Sequence, residues 1–571
     1  MSHKLLTLPN ESFVSIQTQR LASPVMAWTN QDLITEKSAV GYAYCMPQAY
    51  ESPDLYLPED RVQSADRYGG YGVGHAGGSG RCANLGTMQV KGVGPTPLVT
   101  QIEDIHHSSG TMTLHEAGRE AIWSRILPVF LPYGVVPSLA IVLTQGIFPE
   151  RDPDGVDIPR QRSLLLREFA VRPAHFMRNL HFKTPVCQTS GLRGDTLRTQ
   201  AAMAYLHLAL EQAYGNQISG VSGIQQINLG LSLMAKRFAA QVAAAFAKRI
   251  FHASLGCSNI ALDGRYIDFG TMTFVDRYRR RAFAKGWADQ WTQQYSLNRT
   301  LVVLHFHIKK YLQANDINRL IPEEELVMEF RRAYFERLEI EMLKLTGVPE
   351  TVVESYPIAA RNKLFRCIYL IYSRGAGEVF NTWPAETETI GANPQPEQDG
   401  RYDLNQILAL AATCSEVSQL EQVLSEHLDD ANLRKEFITH YLKFIDWSVS
   451  KVGKRLQPTA RVYTAMQALR LNADLSFLDR DTLYEQLTAF DAKPEGVGQY
   501  IDQIIEQGLY YLDPEHPDLP NGGVKRQLSG LRELGEKLPE FALSRVPQSP
   551  VSDSAIIGLR KLCHACTTII H

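Results

Sequence analysis

The chain has 571 residues, 44% of them hydrophobic and 21% charged, with a formal net charge of −3. That is the composition of an ordinary globular protein, and it provides no basic field for nucleic acid or an anionic membrane. The length allows roughly two to four domain-sized units. No apolar run approaches the roughly 18 residues of a membrane span, and the N-terminal MSHKLLTLPNES lacks a signal-peptide core, so a cytoplasmic protein without nucleic-acid or membrane partners is expected.

Residues 1–60 are mixed and Pro-dotted, and read as an N-terminal segment packing on the core of the protein. Tyr68 to Gly86 is glycine-rich: seven of the twelve residues from Gly69 to Gly80 are Gly. Such density lets backbone N–H groups close on phosphate oxygens without Cβ interference, although a loop with no ligand shares the composition. No Gly-Lys-Ser/Thr follows, and the next element reads as a strand rather than a helix, which excludes a Walker A loop and a Rossmann fingerprint. That strand, Thr87 to Lys91, ends in a Lys where a kinase-like fold keeps its phosphate-binding Lys. The helix expected over Leu114 to Phe130 offers Glu116 and Glu120 as its carboxylate partner, and Glu120 is preferred. Leu164 to Val171 reads as a buried strand, with Arg172 and Arg178 just past it. Two Arg there can fork onto phosphate oxygens, or form surface salt bridges.

From about residue 196 helical periodicity dominates, with helices expected over Thr196 to Ala213 and Leu231 to Phe251; the Ala-rich part of the second permits close packing. The stretch Asn259 to Gly270 then reads as a short β-hairpin, with strands Ile260 to Leu262 and Arg265 to Ile267 and a two-residue Asp263-Gly264 turn. A tight hairpin brings Asn259 and Asp268 together. One carboxylate and one amide oxygen suit Mg²⁺, and protein kinases hold metal this way with a catalytic-loop Asn and a DFG Asp. A surface hairpin with a coincidental Asp-Phe-Gly has the same pattern. Trp383 to Asp403 is the best linker candidate, and residues 404–571 are again mostly helical, interrupted by a loop at Asp513 to Gly523.

Eight cysteines in so long a chain are not a disulfide framework. Cys45, Cys82, Cys187, Cys257, Cys367 and Cys414 read as packed thiols. Cys563 and Cys566 form a C-x-x-C near the end; the lack of a second pair disfavours zinc, for which His564 and His571 are the remaining candidate ligands, and a redox-sensitive tail and an unremarkable helix end are both compatible with it. A strand-rich lobe followed by a helical one is α+β, in the order of a kinase-like bilobal fold. The expected division is 1–60, an N-lobe over 61–185, a helical C-lobe over 186–345, and an extra, mostly helical region over 346–571.

Taken together, these motifs resemble the selenoprotein O family of kinase-like protein adenylyltransferases. The family's Gly-Asp-Gly-Arg-Ala corresponds to Gly78-Ser79-Gly80-Arg81-Cys82. Its Lys-Gly-x-Gly-x-Thr-Pro corresponds to Lys91-Gly92-Val93-Gly94-Pro95-Thr96-Pro97, and its helical Arg-Glu to Arg119-Glu120. Its two phosphate-binding Arg fall on Arg172 and Arg178, one residue closer together than in the family. Its His-Gly-x-x-x-x-Asp-Asn is His252 to Asn259, and its Ile-Asp-Tyr-Gly is Ile267-Asp268-Phe269-Gly270. The matching spans roughly residues 68–276 and fades beyond 280.

The resemblance implies ATP bound inverted relative to kinases, with AMP moved to a Ser, Thr or Tyr hydroxyl, pyrophosphate leaving, and Mg²⁺ or Mn²⁺ on Asn259 and Asp268. It implies that Lys91, with Glu120 beside it, and Arg172 and Arg178 grip the phosphates, and that Gly78, Gly80, Arg81 and Asp268 lie at the nucleotide. Two positions depart from the family. Its candidate base, the Asp before Asn, is Ser258, a loss typically worth on the order of 10² to 10⁴ in rate. Its Asp-Gly near the nucleotide becomes Ser109-Gly110, with His106 and His107 close by. A replacement base at Asp263 is disfavoured by its place at the hairpin tip. A protein acceptor is expected, with a small-molecule acceptor or an ATP-binding pseudokinase scaffold as alternatives.

Overall fold

The computed structural model describes residues 7–70, 73, 75–99, 109–151, 156–182, 195–278, 288–375, 402–452 and 454–513. The linker candidate up to residue 401, His106, His107, Cys187 and the C-x-x-C tail lie outside them. The architecture is α+β: an antiparallel sheet built by the N-terminal part, followed by a helical remainder.

Eight strands form the sheet: β1 (Phe13–Leu21), β2 (Val25–Thr29), β3 (Tyr44–Cys45), β4 (Tyr56–Asp66), β5 (Cys82–Leu85), β6 (Met88–Lys91), β7 (Ser138–Arg151) and β8 (Asp157–Glu168). Their spatial order is β2-β7-β8-β6-β5-β4-β1-β3. Within residues 7–60, β1, β2 and β3 and the start of β4 extend the sheet on both flanks. β5 and β6 make a tight hairpin that pairs Cys82 with Lys91 and Leu85 with Met88; Gly86 in its turn has φ +65°, a conformation Gly adopts freely. Both faces of the sheet are buried. In the run Leu164-Leu165-Leu166, Leu165 joins the large core shared with the helices, while Leu164 and Leu166 join a second core on the opposite face with Ile16, Ile34 and Val90. A continuous apolar run is what a strand covered on both sides requires.

Helix α1 (Leu114–Ile126) begins at Thr113, whose N–H and hydroxyl both donate to Glu116 in a capping box. It stops at Ile126, giving way to a 3₁₀ turn over Leu127–Val129, where Pro128 cannot supply a helical N–H. The helix expected from residue 196 to 213 is instead two, α2 (Asp195–Ala204) and α3 (Leu206–Tyr214), broken at Tyr205. The next, α4 (Gly223–Ala247), starts earlier than expected and ends before Ile250 and Phe251, which form a two-stranded ladder with Thr273 and Phe274. Its buried run Ala239 to Ala247 presents small side chains, and α4 packs along α6 (Glu323–Lys344), with α5 (Gln293–Tyr311) alongside both. Helices α7 (Ile358–Gly375), α8 (Leu404–Ala412), α9 (Val417–Leu424), α10 (Ala431–Val449) and α11 (Gln457–Leu471) continue this half.

The last two described helices, α12 (Arg480–Thr488) and α13 (Val497–Leu512), return to the sheet and pack on α1. A Cβ on Gly118 would lie 2.9 Å from Leu487, and one on Gly508 would lie 2.4 Å from Ile126. Trp28 Nε1 donates to Asp502 at 2.8 Å, and Arg160 donates to Asp491 and Tyr484. The C-terminal helices thus cover the outer side of the helix that carries Glu120. Among the described residues, no helix is long and apolar enough to cross a membrane.

Candidate functional site: a buried ionic cluster around Lys91

In β6, Gln89 and Lys91 share one face and Val90 the other, as the two-residue period of a strand dictates. Lys91 Nζ donates to Glu120 Oε1 and, at 2.7 Å, to Asp268 Oδ1. Lys91 and Glu120 are almost wholly buried, whereas the Asp268 side chain keeps 31% of its exposure. Glu120 sits in the middle of α1, and its Oε2 accepts from Arg167 Nη1 at 3.4 Å. Arg167 lies opposite Gln89 in the β6–β8 register and donates to Gln89 Oε1 through Nε and Nη2, at 3.0 and 2.8 Å. Glu116 makes no bond to Lys91; it accepts from Arg81 Nη1 at 3.3 Å and closes the helix cap.

Arg172 enters the same network from the loop after β8, which ends at Glu168 rather than Val171. Its Nη2 donates to Gln89 Oε1 at 3.3 Å and its Nη1 to the carbonyl of Ser258 at 2.8 Å, and its guanidinium lies over the Tyr68 ring. His175 holds this corner: its Nδ1 accepts from the Arg172 N–H at 3.0 Å, which makes Nε2 the donor to Asp66 Oδ2 at 3.1 Å. Asp66 Oδ1 also accepts from Asn84 and Gln89. Burial acts to raise the Asp66 carboxyl, but His175 and Arg172 hold it well below the usual range; burial pushes the His175 imidazole down.

The segment Asn259 to Asp268 is a hairpin with one ladder pair, Ile260 with Tyr266. The expected two-residue turn is a longer one: Ala261 N–H donates to Arg265 O, and Leu262, Asp263 and Gly264 lie between them. Leu262 N–H leaves the hairpin for Val171 O, which ties the loop to the chain just before Arg172. Ile267 N–H donates to Asn259 O at 3.1 Å, so Asn259 and Asp268 do come together at the open end. Asn259 Nδ2 donates to Ser254 O at 2.7 Å, leaving its amide oxygen as an acceptor whose single contact among the described residues is the Ser258 hydroxyl at 3.4 Å. Asp268 has φ +70°, a left-handed conformation that costs a non-Gly residue of order 1 kcal/mol or more. Burial opposes its ionisation, but Lys91, then Arg167 and Arg81, hold its carboxyl well below the usual range. Asp263 is bound to Arg265 at 2.8 Å.

The glycine-rich segment closes as a hairpin extending β4 and β5, with Arg67 paired antiparallel to Gly78. Gly78 has φ +143°, and a Cβ there would lie 2.2 Å from Asp66 O, so this glycine is required by its own neighbours. Gly80 O accepts from Thr96 N–H, which folds the run after Lys91 back onto the hairpin. Arg178 meets the start of the hairpin tip through its backbone: Gly70 N–H donates to Arg178 O at 3.1 Å, while Arg178 N–H donates to His307 Nε2. Its side-chain Nε has no partner among the described residues, and its guanidinium makes no bond to the Lys91 cluster. Gly110 packs on Gly94 and Pro95, with Gly94 N–H donating to Gly110 O at 3.0 Å, and the Ser109 hydroxyl pairs with Thr111; neither residue bonds to Lys91.

The structure therefore gathers Lys91, Glu120, Arg172, Ser258, Asn259 and Asp268, with Arg81 at the N-terminus of α1, and leaves Arg178, Ser109 and Gly110 outside the bonded cluster. The connecting residues Gln89, Arg167, Asp66 and Asn84 escape a motif-based reading. Strand periodicity is the signal that finds two of them, because Gln89 is two residues from Lys91 and Arg167 two from Leu165 on facing strands. Comparison of the chain with protein-family models and with curated proteins returns no match to either.

Proposed function

We propose that the chain is a nucleotidyltransferase of protein-kinase-like fold that moves AMP from ATP to a hydroxyl, with a protein as the preferred acceptor. The observation that carries this is the ion pair between a strand Lys and a helix Glu, with an Asp from a distant Asp-Phe-Gly on the same ammonium. That is the constellation kinase-like enzymes use to hold ATP phosphates and metal. The strand-strand-strand-helix-strand-strand order from β4 to β8, with Lys91 on the third strand, supports the kinase-like assignment. Arg172, within the same network, argues for phosphates gripped on the inner side and hence for the inverted nucleotide of the selenoprotein O family.

The residues fit a hard divalent cation. Asp268 offers a partly exposed carboxylate held ionised, and the Asn259 amide is turned so that its oxygen faces away from Ser254. Mg²⁺ bound there would supply charge neutralisation across phosphate oxygens. Lys91, Arg81 and Arg172 would offset the charge on the departing pyrophosphate.

A specific observation favours a second reading, an ATP-binding scaffold. Among the described residues, Ser258 Oγ bonds only to the Asn259 amide oxygen, and Asp263, at the opposite end of the hairpin, is occupied by Arg265. Incubation with ATP labelled separately at the α- and γ-phosphates separates the readings. Slow α-label transfer, absent in Asp268→Ala, is expected; γ-label transfer overturns the inverted-nucleotide reading, and ATP binding without transfer of either label selects the scaffold.

A further inference from the structure

The start of α12 is fastened to the segment that sets Asp268. The helix begins at Asp479, whose Oδ1 accepts from Asp481 N–H at 2.9 Å and caps it. The other oxygen of that carboxylate lies 3.2 Å from the Thr273 hydroxyl, which in turn accepts from Arg480 N–H at 3.0 Å. Thr273 is 5% exposed, and Phe274 O, at 3.0 Å, is the alternative acceptor for its single proton. The chain from Asp268 to Thr273 is a closed turn. Met272 N–H donates to Phe269 O at 3.0 Å, the Thr271 hydroxyl donates to His252 O at 2.8 Å, and Thr273 pairs with Phe251.

Further along, α12 reaches the helix that carries Glu120. Leu483 and Leu487, one turn apart, are both buried. Leu487 sits against Gly118 of α1, where a Cβ would come within 2.9 Å of it. Glu120 follows two positions later, about 200° around the helix, so Leu487 seats on the side of α1 turned away from Lys91. Tyr484 meets His115 of α1 edge-on, with ring centroids 4.8 Å apart, and its hydroxyl accepts from Arg160 Nη2 of β8 at 2.7 Å. Just past the helix, Asp491 accepts from Gln161 N–H and Arg160 Nη1, both at 3.0 Å. With its two flanking aspartates, α12 therefore touches α1, which carries Glu120, β8, which carries Arg167, and the turn after Asp268.

A helix that only covered apolar surface would need no directed bonds at its ends. This one is hydrogen-bonded to the helical half at its start and to the sheet just beyond its end, and packs on α1 between the two. In kinase-like folds the Lys–Glu pair and the metal-holding Asp must both be in place, and the position of the Glu helix controls this. We propose that α12 is an internal strut that keeps the carboxylates of Glu120 and Asp268 in register on Lys91, so that the chain assembles this cluster by itself, with no activating partner. Thr273, Asp479 and Leu487 are then positioning residues; among the described residues none of them bonds to Lys91, Glu120 or Asp268. The consequence for ATP rests on the nucleotide-binding reading given above, whereas the coupling of the two ends through α12 does not.

Hydrogen exchange and calorimetric ATP titration of the full-length protein test it. Thr273→Val removes the hydroxyl at one end of the strut, Leu487→Ala removes the apolar seat at the other, and Thr273→Ser keeps the hydroxyl. Each of the first two is expected to speed exchange about tenfold at the end it does not touch: Thr273→Val along Leu114–Ile126, and Leu487→Ala along the segment from Tyr266 to Met272. Each should weaken ATP binding roughly five- to tenfold, with Thr273→Ser close to the unsubstituted protein. Leu420→Ala, on the buried face of α9, controls for general destabilisation and should leave ATP affinity and both exchange segments unaltered. Thr273→Val keeps the side-chain shape, so it and its Ser rescue decide the matter even where Leu487→Ala fails to fold. Exchange that quickens only beside each substitution, or equally in Leu420→Ala, overturns the strut, as does an ATP affinity that Thr273→Val leaves unchanged. Coupled exchange in a protein that binds no ATP upholds the strut and removes the nucleotide reading instead.

Discussion

Lys91 and Asp268 are 177 positions apart in the chain and 2.7 Å apart in space, Nζ to Oδ1. One ammonium is thus shared between a carboxylate of α1 and one from the segment between α4 and α5, and it joins the sheet to the loop that carries Asn259.

Removing that ammonium leaves Glu120 buried with only the longer contact to Arg167. Breaking a buried ion pair by deleting one partner typically costs about 3–5 kcal/mol. Lys91→Ala is therefore expected to lower the unfolding free energy by about 3 kcal/mol in urea titration and to abolish α-label transfer. A change under about 1 kcal/mol would show that the pair is solvated rather than buried.

Arg172 and Arg178 should separate cleanly. Arg172 is integral to the buried network, so Arg172→Ala destabilises the fold. Arg178, with no side-chain bond to the cluster, should tolerate Ala within about 0.5 kcal/mol of stability. If its guanidinium reaches a phosphate, ATP binding by Arg178→Ala weakens about tenfold or more, the worth of one charge-assisted hydrogen bond. Unchanged ATP affinity removes Arg178 from the site.

Ser258→Asp introduces the carboxylate that the selenoprotein O pattern carries before Asn. An increase in α-label transfer on the order of 10² is expected if that position holds the base. A rate that stays flat, with the protein folded and ATP bound, places the base elsewhere or shows the chemistry does not use one.

Stability should fall with acid in two stages. Burial depresses the imidazoles of His175 and His252 below their ordinary value, so the unfolded chain takes up their protons first. Their contribution is complete above the unfolded value of about 6.5 and declines as pH falls below it. Asp66, Asp268 and Glu116 are depressed despite burial; their contribution is present above about pH 4 and is lost on further acidification. Urea midpoints measured from pH 8 to pH 3 check both stages, and His175→Gln should flatten the first. A midpoint constant between pH 7 and pH 5 contradicts the assignment of neutral buried histidines.

Much of the fold's plan is visible in the residues. The glycine-rich hairpin, the strand ending at Lys91 and the helix after Thr113 all have local causes: Gly density, two-residue alternation and a Thr-x-x-Glu cap. Element ends are less legible. The early end of α4 answers to the pairing of Ile250 and Phe251 with Phe274 and Thr273. The Asp263-Gly264 turn lengthens because Leu262 bonds to Val171, a tertiary contact that no turn preference contains. Within the site, the motif residues stand out by type, but Gln89, Arg167 and Asp66 look like any polar residue of a strand until the register aligns them. The placement of α12 and α13 on α1 rests on Gly118 and Gly508, two glycines whose neighbours lie hundreds of residues away.

Those two glycines have a consequence for biosynthesis. The outer brace of the Glu120 helix is made by residues 480–512, hundreds of positions downstream of Lys91 and Glu120, so a nascent chain carries that pair long before these helices steady it from behind. Hydrogen exchange along Leu114–Ile126 in a chain ending at Leu478 should be markedly faster than in the whole protein. The pair of Lys91 and Glu120 would then stay loosely held on the ribosome until α12 and α13 emerge.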